Sequence, residues 1–318
     1  MMINNDQLPK AIKVILTGLD NAGKTSIINI LLRNKEELSN PKPTRGAKVR
    51  DYPFLGMNIA EWDLGGQKVY RKAYLNKQPE IIFGNAKAII HVVDIQDEKR
   101  IEDSMDYLVD IYEKLIELKV KPTIYIFFHK YDPVSMIGSQ SDLNNHSLLI
   151  RNAVKKLLNY PKIEFYRTSI YDFQMINMAM SKILLSYIPR SDLIENTIKQ
   201  FSTDLNFEGL ELIDENSLIL GSFYLNKFSK ELMNSVTPFF LEVNEILEKV
   251  PFSQPNQDEI EDEMLIRKFG RYFLFKKFAL REDGSNFYFL GCKRDSDFKK
   301  EDFLVFVNLI REMLVQIL

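Results

Sequence analysis

Apolar and polar positions follow two alternating rhythms along the first 190 residues. Short runs rich in β-branched residues read as buried strands: Lys13–Thr17, Lys48–Tyr52, Met57–Trp62, Lys87–Val93, Thr123–Phe128 and Ile163–Arg167. Between them, apolar residues recur every three or four positions, the spacing of a helix packed on a sheet. This predicts helices at Thr25–Leu32, Lys68–Asn76, Ile101–Leu118, Leu143–Leu158 and Phe173–Tyr187. Such alternation implies a mostly parallel six-stranded sheet with helices on both faces and ligand loops at the strands' carboxyl ends. The short link Pro53-Phe-Leu-Gly56 makes 48–52 and 57–62 an antiparallel hairpin at the sheet edge.

The pattern then changes. Pro189 closes the last of these helices, and Ser191 reads as the N-cap of an amphipathic helix with Ile194, Ile198, Phe201 and Leu205 on one face. Strands are expected at about Leu210–Ile213 and Leu218–Tyr224, then a helix over Lys227–Val250 that Pro238 should kink or restart. Pro251–Glu263 reads as a loop. Strands Arg271–Leu280 and Asn286–Cys292 follow, joined by the turn Glu282-Asp-Gly-Ser285, and a helix over Phe298–Leu318 ends the sequence. Phe273, Phe275, Phe287 and Phe289 alternate as strand residues do, one face expected in the core and the other available as an interface. The expectation is an α/β domain over 1–190 followed by an α+β domain over 191–318 with the order α-β-β-α-β-β-α.

A length of 318 residues suits two domains, and 45% hydrophobic with 27% charged residues reads as soluble and globular. A net charge of −2 provides no basic footprint for nucleic acid. Apolar runs such as Ala88–Val93 are of strand length, short of a membrane span. With no signal-peptide core, myristoylation glycine or prenylation cysteine in view, the expected location is cytoplasmic, with any membrane recruitment through partners. The single cysteine, Cys292, excludes an intramolecular disulfide and reads as a small buried hydrophobe.

The chemistry begins at Gly18-Leu-Asp20-Asn21-Ala22-Gly23-Lys24-Thr25-Ser26, between a strand and a helix, which fits the phosphate-cradling pattern G-x-x-x-x-G-K-[ST]. Backbone N–H groups and the helix N-terminus favour phosphate oxygens there. Lys24 supplies a point charge to the β- and γ-phosphates, and Thr25 a hydroxyl to Mg²⁺. This loop alone serves ATP or GTP equally.

Four further motifs, at or near strand ends, decide between them. Asp63-Leu-Gly65-Gly66-Gln67 offers a carboxylate for Mg²⁺, a glycine N–H for the γ-phosphate and a glutamine to orient an attacking water. Thr44, in the polar stretch before the edge strand, can add a hydroxyl to Mg²⁺ while the γ-phosphate is present, which makes that stretch a switch. In His129-Lys130-Tyr131-Asp132, the carboxylate matches the two adjacent donors of guanine and would be left unpaired against adenine. The Lys130 stem can pack on the base, and the His129 ring can donate to the base edge or to the phosphate loop. Thr168-Ser169-Ile170 can direct backbone N–H groups at the guanine oxygen. Lys42 and Arg45, flanking Thr44, read as solvated loop charges, His91 as a packed core histidine, and Trp62 as packing near the switch.

The segments Gly18–Thr25, Pro43-Thr44 and Trp62–Gln67 resemble the Arf-type branch of the Ras-like small GTPases. His129-Lys-Tyr-Asp132, with histidine in the usual place of asparagine, and Tyr166-Arg-Thr-Ser-Ile-Tyr171 resemble the Rag/Gtr family, as does the α+β domain that follows, which is similar in order to a roadblock-type module. The resemblance implies a slow GTPase switch that binds GTP or GDP with Mg²⁺. It also implies a homodimer, or a heterodimer with a Rag-like paralogue, held through residues 191–318, and recruitment by roadblock- or longin-type scaffolds. Asp20-Asn21-Ala22 is the Arf form of the loop and departs from Rag proteins, marking a divergent or early-branching member. A constitutive scaffold with structural nucleotide is the rival reading, and it has no need of Gln67 or Thr44.

Overall fold

Side chains of β1 (Ile12–Gly18) are buried on both faces, as the centre of a doubly covered sheet requires. The computed structural model describes residues 11–32, 34, 37–38, 42–54, 57–132, 141–249, 263–279 and 286–317. The turn expected at 282–285, the loop at 251–262 and the chain ends lie outside these residues. Two compact units divide between Ala179 and Met180.

The first unit holds a six-stranded sheet in the order β2-β3-β1-β4-β5-β6. Its other strands are β2 (Ala47–Phe54), β3 (Met57–Leu64), β4 (Ala86–Asp94), β5 (Thr123–His129) and β6 (Ile163–Arg167). Only the β2–β3 pair is antiparallel, at the edge, as the short link predicts. The helices are α1 (Lys24–Leu31), α2 (Lys68–Asn76), α3 (Pro79–Phe83), α4 (Ile101–Glu117), α5 (Ser141–Leu158) and α6 (Phe173–Leu185). α3 was not anticipated: five residues are too few to show a helical period, although Pro79 at its first turn and the buried Ile82 and Phe83 suit one. Aliphatic residues of β1, β4 and β5, including Ile15, Ile89 and Ile126, form the core under α4 and α5 with Leu108, Ile111 and Val154.

The expected boundary after residue 190 moves into α6, which the division of the two units crosses. Ser181, on its last turns, accepts the Ile219 N–H at 2.9 Å and so belongs with the second unit. That unit contains α7 (Asp192–Asp204), β7 (Gly209–Asp214), β8 (Ile219–Tyr224), α8 (Lys227–Glu248), β9 (Glu263–Lys268), β10 (Arg271–Ala279), β11 (Asn286–Lys293) and α9 (Lys300–Ile317). The strands form one antiparallel sheet in the order β8-β7-β11-β10-β9.

Two expectations need correction, and of the two outcomes open at Pro238 the restart is excluded. β9 is an extra strand, so the order is α-β-β-α-β-β-β-α; as a half-exposed edge bearing Glu263, Arg267 and Lys268, it carries little apolar signal. α8 runs through Pro238 without restarting. Thr237 donates to Met233 O at 2.9 Å and Phe240 and Leu241 are buried, so packing holds the helix across the missing N–H. Finally, neither face of the β10–β11 pair is free. Phe275 stacks on Phe240 of α8 at 5.5 Å, and Phe289 meets Phe306 of α9 at 5.1 Å on the other side. Cys292 is buried within this sheet, as expected.

Candidate functional site

β1 ends and α1 begins on either side of a tight loop whose last residue, Gly23, has φ +96°. A Cβ there would lie 2.3 Å from His129 Cδ2, so only glycine allows both the turn and the packed histidine. Lys24 is 5% exposed, and its ammonium donates to Leu19 O at 2.7 Å and Gly18 O at 3.2 Å. Burial pushes its pKa down to about 8, against the pull of the Asp63 and Asp20 carboxylates. A cleft of about 230 Å³ opens on this loop, lined by Asp20, Asn21, Gly23, Lys24, Thr25 and Ser26 from one side and by Lys42, Pro43, Thr44, Gly66 and Gln67 from the other. Ala22 is buried behind the loop, outside this lining.

Three chain segments converge at Thr25 and Thr44 of this lining, joined by Asp63, which lies outside it. Thr25 Oγ1 donates to Asp63 Oδ2 at 2.7 Å and lies 2.7 Å from Thr44 Oγ1, which is 3.2 Å from the same carboxylate oxygen. Asp63 is 4% exposed, and its Oδ1 is buried with no hydrogen-bond partner. Two hydroxyls and one carboxylate, whose second oxygen is orphaned, make a hard-oxygen donor set that suits Mg²⁺. Among the described residues no group of three or more His, Cys, Asp or Glu could hold a metal by itself. An ion here would therefore need ligand oxygens as well.

The turn after β3 closes the cleft. Gly65 N donates to Gly46 O at 2.9 Å and to the Tyr74 hydroxyl at 3.1 Å, which ties it to the segment carrying Thr44. Gly66 lies against the phosphate loop: a Cβ would be 2.2 Å from Asp20 N and from Leu19 C. Gln67 follows as the exposed N-cap residue of α2.

The second cluster lies at the ends of β4, β5 and β6. Asp132 accepts from Ser169 Oγ at 2.6 Å and from Gln96 Nε2 at 2.8 Å. Gln96 also donates to Lys130 O at 2.7 Å, and Lys130 Nζ donates to Asp94 Oδ2 at 2.6 Å. Thr168 N donates to Phe128 O and Tyr131 N to Thr168 O, each at 3.0 Å, so the two loops are stitched together. Ile170 follows Ser169 half-buried. Of the two roles open to His129, the geometry favours the loop. The ring is 1% exposed against Gly23, with Nδ1 2.9 Å from Thr168 Oγ1. Burial, helped by Lys130, pushes its pKa down to about 3, so the ring is neutral.

Sequence reading missed Asp94, Gln96 and Arg100, although Asp94-Ile-Gln96 also follows a strand's carboxyl end. Arg100 donates to Asp20 O at 3.1 Å and to Asp20 Oδ1 at 2.6 Å. His91 is a packed core histidine as expected, its ring nitrogens 3.0 Å from Thr17 Oγ1 and Ser104 Oγ. Trp62 lies under the Lys13 ammonium, 3.9 Å from the ring centre. Lys42 lines the cleft and Arg45 is exposed.

Comparison with known proteins is consistent in kind. A family model described as the Gtr1/RagA G protein conserved region matches residues 13–245. The chain is 28% identical over 179 residues to the ADP-ribosylation factor-like protein alp41 of Schizosaccharomyces pombe, covering 56% of this chain and 85% of that one. It is 26% identical to the GTP-binding protein GTR1 of Saccharomyces cerevisiae, covering 63% of this chain and 64% of that one. It is 28% identical to the Ras-related GTP-binding protein A of Dictyostelium discoideum, covering 69% and 72%.

Proposed function

The chain belongs to the Gtr1/RagA G protein family of guanine-nucleotide-binding GTPase switches, and we propose that it cycles between GTP and GDP with Mg²⁺ in the cleft at Lys24, Thr25, Thr44 and Asp63. The observation that carries this reading is the convergence of Thr25, Thr44 and Asp63 within 3.2 Å beside an unpartnered carboxylate oxygen. Thr25, Thr44 and Asp63 would hold the metal, which would supply positive charge against the phosphate oxygens. Lys24 exchanges its bonds to Leu19 O and Gly18 O for the β- and γ-phosphate oxygens. Asp20 to Ser26 cradle the phosphates, and Gly66 directs its N–H at the third. Gln67 orients the attacking water. Asp132, held by Ser169, accepts the two guanine donors, with Lys130 beside the ring, Ile170 N–H toward the guanine oxygen, and His129 bracing the loop from behind.

Hydrolysis is slow. Among the described residues lining the cleft the cations are Lys24 and Lys42, with no arginine, and an arginine supplied to such a site is worth about 10³-fold or more. Single-turnover hydrolysis of GTP by the full chain tests this: a slow, Mg²⁺-dependent rate is expected, lowered further in Gln67→Leu with GTP binding retained. An undiminished rate in that variant removes Gln67 from the mechanism. GTP binding with no hydrolysis at all would favour the scaffold.

Residues 191–318 act as the dimerisation module, pairing with a second copy or a Rag-like paralogue and offering a docking face to roadblock- or longin-type scaffolds. Support comes from β9, the last strand of its sheet among the described residues, with Leu265 54% exposed, and from Phe228 and Phe239 on α8, each more than half exposed. Among the described residues no helix is long and apolar enough to cross a membrane. Light scattering on the full chain should give twice the monomer mass if it self-pairs, and Leu265→Glu should halve it. A monomer that also fails to pair with a paralogue would remove this part of the proposal.

A further inference from the structure

Asp20 is an oddity in a loop built for anions: a carboxylate lining the cleft that is proposed to hold phosphates. It carries its own counter-charge from eighty positions along the chain. Arg100, in the short 3₁₀ turn Glu98–Arg100 ahead of α4, grips the residue twice, Nη1 on the backbone carbonyl at 3.1 Å and Nη2 on Oδ1 at 2.6 Å. Gly66 packs on the Leu19–Asp20 peptide, with a would-be Cβ 2.2 Å from Asp20 N. Asp20 therefore lies at the end of the loop that faces Gly66, where the third phosphate would sit.

We propose that Arg100 is a positioning and specificity residue, which turns and neutralises Asp20 so that the cleft accepts a triphosphate as well as a diphosphate. This rests on the reading of the cleft as a guanine-nucleotide site. Two features of the contact point beyond simple bracing. A fork bonded to both a carbonyl and a carboxylate fixes orientation as well as charge, which a lysine cannot reproduce. The charge being cancelled also borders the cleft, where an uncovered carboxylate repels the phosphate nearest to it. Burial alone would raise the Asp20 pKa, but the hydrogen bond and charge of Arg100, with a backbone hydrogen bond and the Lys24 charge, hold the carboxyl below its usual value. Asp20 thus stays ionised and needs its partner throughout the working pH range.

The test measures the affinity of the full chain, with Mg²⁺, for fluorescent GDP and for a non-hydrolysable GTP analogue. Arg100→Ala should weaken the GTP analogue about tenfold or more while GDP changes by less than about threefold. Arg100→Lys should fall between the wild type and Arg100→Ala. The double variant Arg100→Ala/Asp20→Asn removes the uncovered charge and should recover most of the lost preference for the triphosphate, which a mere loss of packing would not allow. Equal loss of both nucleotides without recovery in the double variant would make Arg100 a structural brace and overturn the proposal, as would no change in Arg100→Ala. Failure of the wild type to bind either nucleotide would instead overturn the reading of the cleft itself.

Discussion

Thr25 Oγ1 donates to Asp63 Oδ2 at 2.7 Å across 38 positions of sequence, while the other oxygen of that carboxylate is buried without a partner. A buried, unsatisfied carboxylate oxygen is costly, and a cation is its natural complement. Thr25→Val keeps the shape and removes the hydroxyl. Release of fluorescent GDP from this variant should be about tenfold faster in Mg²⁺ than from the wild type, approaching the wild-type rate in a chelator. If chelation leaves wild-type release unchanged, the oxygen cluster does not hold the metal.

Asp132, with its donors Ser169 and Gln96, makes a second test. Asp132→Asn places an amide where guanine needs two acceptors, and GTP affinity should fall by about 10⁴-fold, with selection against xanthine nucleotides relaxed. Gln96→Ala removes one donor that orients the same carboxylate, and should cost only about tenfold. Competition binding with GTP, XTP and ATP reads both. Unchanged GTP affinity in Asp132→Asn would sink the assignment of the base pocket.

Gly66 is tested by adding one carbon. A methyl group there meets the Leu19–Asp20 peptide at 2.2 Å, so the turn after β3 must lift from the phosphate loop. Displacing Gln67 by even about 1 Å should slow single-turnover hydrolysis about a hundredfold. GDP binding, which does not call on the third-phosphate partners, should stay within a few fold. Normal hydrolysis by Gly66→Ala would show that this close approach is not part of the active arrangement.

The second unit has a pH dependence of its own. Burial, aided by the Glu215 carboxylate and opposed by donors from Leu218 and Asn216, pushes the Asp214 carboxyl from 3.8 up to about 7. Between those values the native state keeps a proton that the unfolded chain has lost. Stability should therefore fall as pH rises through this window, by up to about 1.4 kcal/mol per pH unit from this group. Glu211, also raised by burial, acts in the same sense. Asp214→Asn still accepts from Leu218 N and cannot titrate, so urea unfolding between pH 5 and 7 should show a flatter profile than the wild type.

Much of the first unit was legible because its signals are local. The strand at Lys13–Thr17, the glycine loop and the helix after it announce themselves within twenty residues, and the hairpin of β2 and β3 follows from the shortness of its link. The second unit was less legible. β9 is a half-exposed edge with charged ends, and its place is set by pairing with β10, a partner that no local rhythm reveals. Pro238 obeyed the burial of Phe240 and Leu241 over its own propensity.

By itself the sequence determined which residues are candidates for the proposed chemistry, because phosphate, metal and guanine each demand particular side chains at particular strand ends. Tertiary structure alone decided which of those residues meet. It brought Thr25, Thr44 and Asp63 within hydrogen-bond distance, packed His129 against Gly23, and brought Gln96 and Arg100 to Asp132 and Asp20. The reason is physical: spacing along a chain fixes what a segment can present, but a contact across eighty residues depends on the order in which strands lie side by side. Here that order puts β4 between β1 and β5, so the loop after it can reach both the phosphate loop and the motif at Asp132.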